Sequence, residues 1–139
     1  MAYWIKMNYD RETYLIDLDS ISAFASGLNK RITLWLPANG KPIIINYQNN
    51  PQTYEDILDY IQKITVHSLT HYWIKIIYDR HEYIVDLNRL NTFVVDSSKR
   101  IMFWLPDGKE AIIINPQTNS EAYSKILDFI QQKTGYSLP

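Results

Sequence analysis

The chain has 139 residues, 46% of them hydrophobic and 21% charged, with a formal net charge of −1. This is globular composition with enough apolar material for a sizeable core, and its charge balance gives no support to strong phosphate-driven nucleic-acid binding. Having no cysteine, it excludes disulfides, thiolate nucleophiles and cysteine-held zinc, and no apolar run approaches a membrane span.

The opening Met-Ala-Tyr-Trp-Ile-Lys-Met-Asn lacks the charged start and long apolar stretch of a signal peptide, so a cytoplasmic location is expected. From there the chain is written twice. Tyr3–Leu69 and Tyr72–Leu138 align without a gap at a constant offset of 69 residues. About half the aligned positions are identical, which marks an internal repeat rather than shared composition. Two units are therefore expected, residues 1–69 and 70–139. Each is near the size at which a lone core is only marginally stable, so they should pack on one another or on another chain.

In the first stretch of each unit, Tyr3, Ile5, Met7 and Tyr9 alternate with Trp4, Lys6 and Asn8, as Tyr72, Ile74, Ile76 and Tyr78 alternate with Trp73, Lys75 and Ile77. Period two with aromatic and β-branched residues reads as a half-buried strand. A second strand follows at Tyr14–Leu18 and Tyr83–Leu87, after short polar connections that suit a hairpin. Setting Tyr9 opposite Tyr14 places Lys6 opposite Asp17, and Lys75 opposite Asp86, an ion pair made twice.

Ile21–Ser26 and Leu90–Val95 read as third strands whose faces are ambiguous. Arg31–Leu36 and Arg100–Leu105 are clearer, with Ile32, Leu34 and Leu36 on one side and Thr33 and Trp35 on the other. Asn39-Gly40 and Asp107-Gly108 mark tight turns, and Ile43-Ile44-Ile45 and Ile112-Ile113-Ile114 read as doubly covered strands rather than exposed edges. Tyr54, Ile57, Leu58 and Ile61, and likewise Tyr123, Ile126, Leu127 and Ile130, form one apolar helical stripe. Asn50 before Pro51 and Asn119 or Ser120 suit the helix starts, and Gly135 a helix end. The expected fold is α+β: two tandem repeats, each an antiparallel four- to five-stranded sheet closed by one C-terminal helix, related by approximate two-fold symmetry.

The candidate binding residues are Trp4, Trp35, Trp73 and Trp104, which share the sheet face opposite the helix, together with Arg11 and Arg80 of the repeated Asp-Arg turns. That face is too aromatic to meet water. It is expected to pack against the other unit or a second chain, and alternatively to stack bases or a planar ligand, with Lys6, Lys75, Lys30, Arg31, Lys99 and Arg100 as a phosphate-facing rim. His67 and His71 have helix-like spacing but lack further ligands, and His81 sits in a turn, so no metal site is expected. Only four glycines occur, no phosphate-cradling loop can be written, and no nucleophile motif is present. No catalytic residue and no cofactor are therefore expected. The sequence points first to a non-catalytic protein-interaction or scaffold module, with a protein partner or self-association. A binder of single-stranded nucleic acid or a small planar ligand comes second, and a small enzyme third.

Overall fold

The computed structural model describes residues 3–37, 40–64, 72–106, 109 and 111–137. Asn39, the Asp107-Gly108 turn, the junction 66–71 and its histidines His67 and His71 lie outside the described residues. The chain is α+β, with antiparallel sheets and two helices. The elements run β1 (Trp4–Tyr9), β2 (Glu12–Asp17), a 3-10 turn (Leu18–Ser20), β3 (Ala23–Gly27), β4 (Arg31–Trp35), β5 (Pro42–Asn46) and α1 (Pro51–Ile64). The same order returns as β6 (Trp73–Tyr78), β7 (His81–Asp86), a 3-10 turn (Leu87–Arg89), β8 (Val94–Val95), β9 (Ile101–Trp104), β10 (Ala111–Ile114) and α2 (Ser120–Thr134).

The strands do not form one sheet per half. A five-stranded sheet has the order β5-β4-β3-β7-β6, a three-stranded one β10-β9-β8, and β1 pairs with β2 alone. The halves are thus joined by a β3–β7 ladder, Phe24 opposite Ile84 and Ala25 opposite Tyr83. The expected two-fold relation calls for a matching β2–β8 ladder, and none joins these strands among the described residues.

The β3–β7 ladder explains why the third strand's faces could not be assigned: Ala23, Phe24 and Ala25 are all buried, because β3 divides two cores. Phe24 and Ile84 face a core built from Ile5, Met7, Ile16, Ile32, Leu34, Ile43, Ile45 and Ile57. Ala23, Ala25 and Trp35 face the other, with Ile74, Ile76, Val85, Phe103, Ile112, Ile126 and Phe129. By contrast, the isoleucine runs expected to be covered on both sides lie on sheet edges. On β5, Ile43 and Ile45 are buried while Ile44 is exposed, because the second core does not extend over that end of the sheet.

The hairpin register differs from the expected one by two residues. Tyr9 lies opposite Glu12 and Lys6 opposite Leu15, so the turn is only Asp10-Arg11. A shift of two keeps every side chain on its face, since strand period is two. Asp17 and Asp86 consequently make no cross-strand pair with Lys6 and Lys75. Each instead ends its strand and caps the 3-10 turn: Asp17 Oδ1 accepts from Tyr3 N and Asp19 N, and Asp86 Oδ1 from Tyr72 N and Asn88 N. Lys75 meets Glu82 at 3.5 Å. Near the same cap, Tyr60 donates its hydroxyl to Asp19 Oδ1 at 3.1 Å. Burial, then the carboxylate, pushes that phenol upward, so it keeps its proton.

Both two-residue turns are left-handed without glycine: φ is 50° at Asp10 and 67° at Arg11, then 49° at Asp79 and 64° at Arg80. Such turns favour Asn-Gly or Asp-Gly, because an arginine Cβ is crowded there. Arg11→Gly should therefore raise stability by roughly 0.5–1 kcal/mol, the left-handed penalty less glycine's extra chain entropy. Urea melts would show a higher midpoint at unchanged slope, and a lower midpoint would remove the claim of strain.

Helix α1 opens at Pro51 as expected, with Tyr54 N bonded to Asn50 O at 3.0 Å. Asn119 precedes α2 without a side-chain cap bond, and its amide donates instead to Ile77 O at 3.1 Å. Gly135 ends the helix at φ 79°, its N–H bonded to Gln131 O.

Candidate functional site

The four tryptophans do not assemble into one face. Trp35 is buried in the second core, and Trp73 packs on Phe24 with ring centroids 6.0 Å apart. Their repeat counterparts Trp104 and Trp4 are exposed. Two rings are thus spent holding the halves together. Trp104 lines a cleft of about 520 Å³ with Pro37, Pro106, Ser22 and Arg89. The cation of that cleft is already engaged, Arg89 donating to Asp19 O and meeting Asp86 Oδ2 at 3.3 Å.

A second site lies on the five-stranded sheet, on the side facing the second core and at that core's edge, where Ala25, Trp35 and Tyr83 line it. Two adjoining hollows of about 530 Å³ each share Thr33, Ile44, Asp79 and His81. Their floor is made of small side chains in register, Thr33 opposite Ala25 on β4 and β3, with Gly27 opposite Arg31 one row on. Ile44, Trp35 and Pro42 stand on one side, Tyr78, His81 and Tyr83 on the other. Arg31 and Arg80 line the same end.

Gly27 leaves room for what lies over it. A Cβ there would stand 3.0 Å from Cδ2 and 3.1 Å from Nε2 of His81, so the imidazole sits against the bare backbone. His81 Nδ1 is 2.8 Å from Asp79 O. A carbonyl only accepts, so Nδ1 is the donor in that contact.

The two guanidiniums share the hollow with Asp79 but form no ion pair with it. Among the described residues, neither Arg31 nor Arg80 makes an ion pair or side-chain hydrogen bond, and Arg11 is free in the same sense. The second half shows the contrast. Asp96 occupies the repeat position of Gly27, and its Oδ2 holds Arg100, the counterpart of Arg31, at 2.8 Å. The Asp96 carboxyl lies below its ordinary range, chiefly through the bond from Arg100 N–H. One half closes its arginine down, and the other leaves it available over an open floor.

Of the residues singled out in the sequence, the structure brings Arg80 and Trp35 to this groove and leaves Trp4, Trp73, Trp104 and Arg11 elsewhere. Arg31, expected as part of the phosphate-facing rim, completes it together with Gly27 and His81, which were not expected there. A signal for them existed, since Gly27 aligns with Asp96 while Arg31 aligns with Arg100. Among the described residues no cluster of histidine, aspartate or glutamate suits a metal, and no helix is long and apolar enough to cross a membrane.

No family model matches the chain, and no curated protein matches it. A solved structure similar to it is a LytTr DNA-binding domain from Bacillus cereus, at 11% sequence identity and a TM-score of 0.49, covering 88% of this chain and 95% of that one. The expected protein-interaction or scaffold module is corrected at this point. The tryptophans are not offered together as a scaffold surface: Trp35 and Trp73 pack against the other half, one of the two expected coverings, and Trp4 and Trp104 stay exposed.

Proposed function

We propose that this protein binds single-stranded nucleic acid in the groove over Gly27, Ala25 and Thr33, acting as a binder rather than an enzyme, in the cytoplasm. Arg31 and Arg80 contact phosphates, and a base lies against His81 and Tyr78. The small floor admits a backbone or base edge closely, and the unpaired guanidiniums supply the forked donors that phosphate oxygens accept. The observation that carries this reading is the pair of free arginines at one end of that groove. Units 1–69 and 70–139 divide the work, the groove being built on the first and completed by the β6–β7 turn of the second. The DNA-binding description of the similar structure agrees in ligand class, while the reading rests on the groove alone.

Fluorescence anisotropy with labelled mixed-sequence oligonucleotides tests it. Single strands should bind more tightly than duplexes, with affinity falling as salt rises. Arg31→Ala or Arg80→Ala should each weaken binding about tenfold, ~1.4 kcal/mol, and lower the salt slope by about one. Gly27→Asp should do likewise by recreating the Asp96–Arg100 pair, while Lys125→Ala on α2 should change little. Absence of binding at low salt, or equal binding by the arginine variants, would refute the assignment.

A further inference from the structure

The β3–β7 ladder has an unfilled counterpart. By the 69-residue offset, β2 corresponds to β7 and β8 to β3. Among the described residues β2 pairs with β1 alone and β8 with β9 alone, so each keeps one open edge. The residues that close the filled ladder have kept their character at the open one: Phe93 stands for Phe24, Leu15 for Ile84 and Tyr14 for Tyr83. Their surroundings are opposite. Ile84 is 4% exposed and Leu15 68%; Trp35 is 4% exposed and Trp104 39%. Trp73 lies on Phe24, whereas Trp4 is 65% exposed. Along β2, Thr13-Tyr14-Leu15-Ile16 has no charge and no proline, the devices that ordinarily keep an edge from pairing.

We propose that a second copy of this chain covers the edge, its β8 lying antiparallel to β2 with Thr92 of the partner subunit opposite Ile16, Phe93 of the partner subunit opposite Leu15, Val94 of the partner subunit opposite Tyr14 and Val95 of the partner subunit opposite Thr13. This register is the filled ladder moved by one repeat, so the existing β3–β7 seam specifies both the occupant and its alignment. Each copy carries both edges, which makes the contact self-complementary and allows a two-fold dimer with two new ladders. Trp4 then meets Phe93 of the partner subunit as Trp73 meets Phe24. The edge is separate from the arginine groove, so the dimer stands or falls independently of nucleic-acid binding.

The cysteine-free chain makes the test direct. Light scattering on the purified protein should give twice 16.4 kDa, falling to 16.4 kDa on dilution and in Leu15→Lys at all concentrations. Ile77→Lys, another exposed apolar position on a strand, should leave association unchanged. Thr13→Cys protein mixed with Val95→Cys protein and a short bis-maleimide should yield a covalent dimer, and either alone should not. A monomer at every concentration would overturn the proposal. So would an undiminished dimer in Leu15→Lys, or a Thr13→Cys/Val95→Cys double variant that cross-links only within its own chain, showing that the edge closes on itself.

Discussion

Phe24→Ala is expected to cost about 3–5 kcal/mol of folding free energy, a large share of the roughly 5–15 kcal/mol that holds an ordinary domain together. Phe24 is fully buried at the middle of the central strand, and its ring lies 6.1 Å from Tyr60 and 6.0 Å from Trp73. Those partners come from α1 of the first half and β6 of the second, so truncation removes packing within a core and across the seam at once. The surrounding isoleucines are β-branched and fixed in strands, which limits collapse into the space left behind. Phe93, its repeat counterpart, is only half-buried, so Phe93→Ala should cost clearly less at dilutions where the chain is monomeric. Urea unfolding followed by tryptophan emission measures both. Equal losses would show that the two seams are equivalent in solution and that the halves are not asymmetric at this position.

Asp86→Ala is the second large loss, about 3 kcal/mol, because two part-buried N–H groups lose the fully buried carboxylate that accepts from them, at roughly 1–3 kcal/mol each. Asp86 is fully buried, accepts from Tyr72 N and Asn88 N at 3.0 Å, and lies 3.3 Å from Arg89. It ties the start of β6 to the end of β7 and holds the 3-10 turn beside the seam, where Asp86 N also donates to Ser22 O at 2.8 Å. Asp86→Asn keeps an acceptor oxygen and should recover part of the loss, the remainder measuring the charge. Asp17→Ala removes the same two kinds of bond at a half-buried site, where water can replace them, and should cost less. Thermal melts of the three variants read the order directly, and Asp17→Ala matching Asp86→Ala would dismiss burial as the deciding factor.

The free arginines and the open β edge share an origin in the doubling. Copies of one unit begin with the same side chains, and single replacements then change what each copy exposes. Gly27 against Asp96 turns a closed ion pair into an open floor, and the β3–β7 ladder buries Ile84 while Leu15 is left outside.

Local pattern was enough for the elements themselves. Alternation in Tyr3–Tyr9 gave β1, the stripe Tyr54, Ile57, Leu58 and Ile61 gave α1, and the 69-residue repeat transferred both to the second half. It was enough for the side-chain faces of the first hairpin of each half too, since a register error of two residues leaves them unchanged, though not for β3 or the isoleucine runs. Which strand lies beside β3 was beyond it. A backbone N–H pairs with any strand edge, so the choice between β2 and β7 rests on how whole layers pack rather than on any short stretch. That choice decided which tryptophans were buried, why β3 is apolar on both faces, and where Arg31, Arg80 and His81 come together. Sequence by itself determined the parts and their duplication, because periodicity is a local property; tertiary structure alone decided the seam and the groove, because contacts between residues some 60 positions apart, such as Phe24 with Ile84, are not.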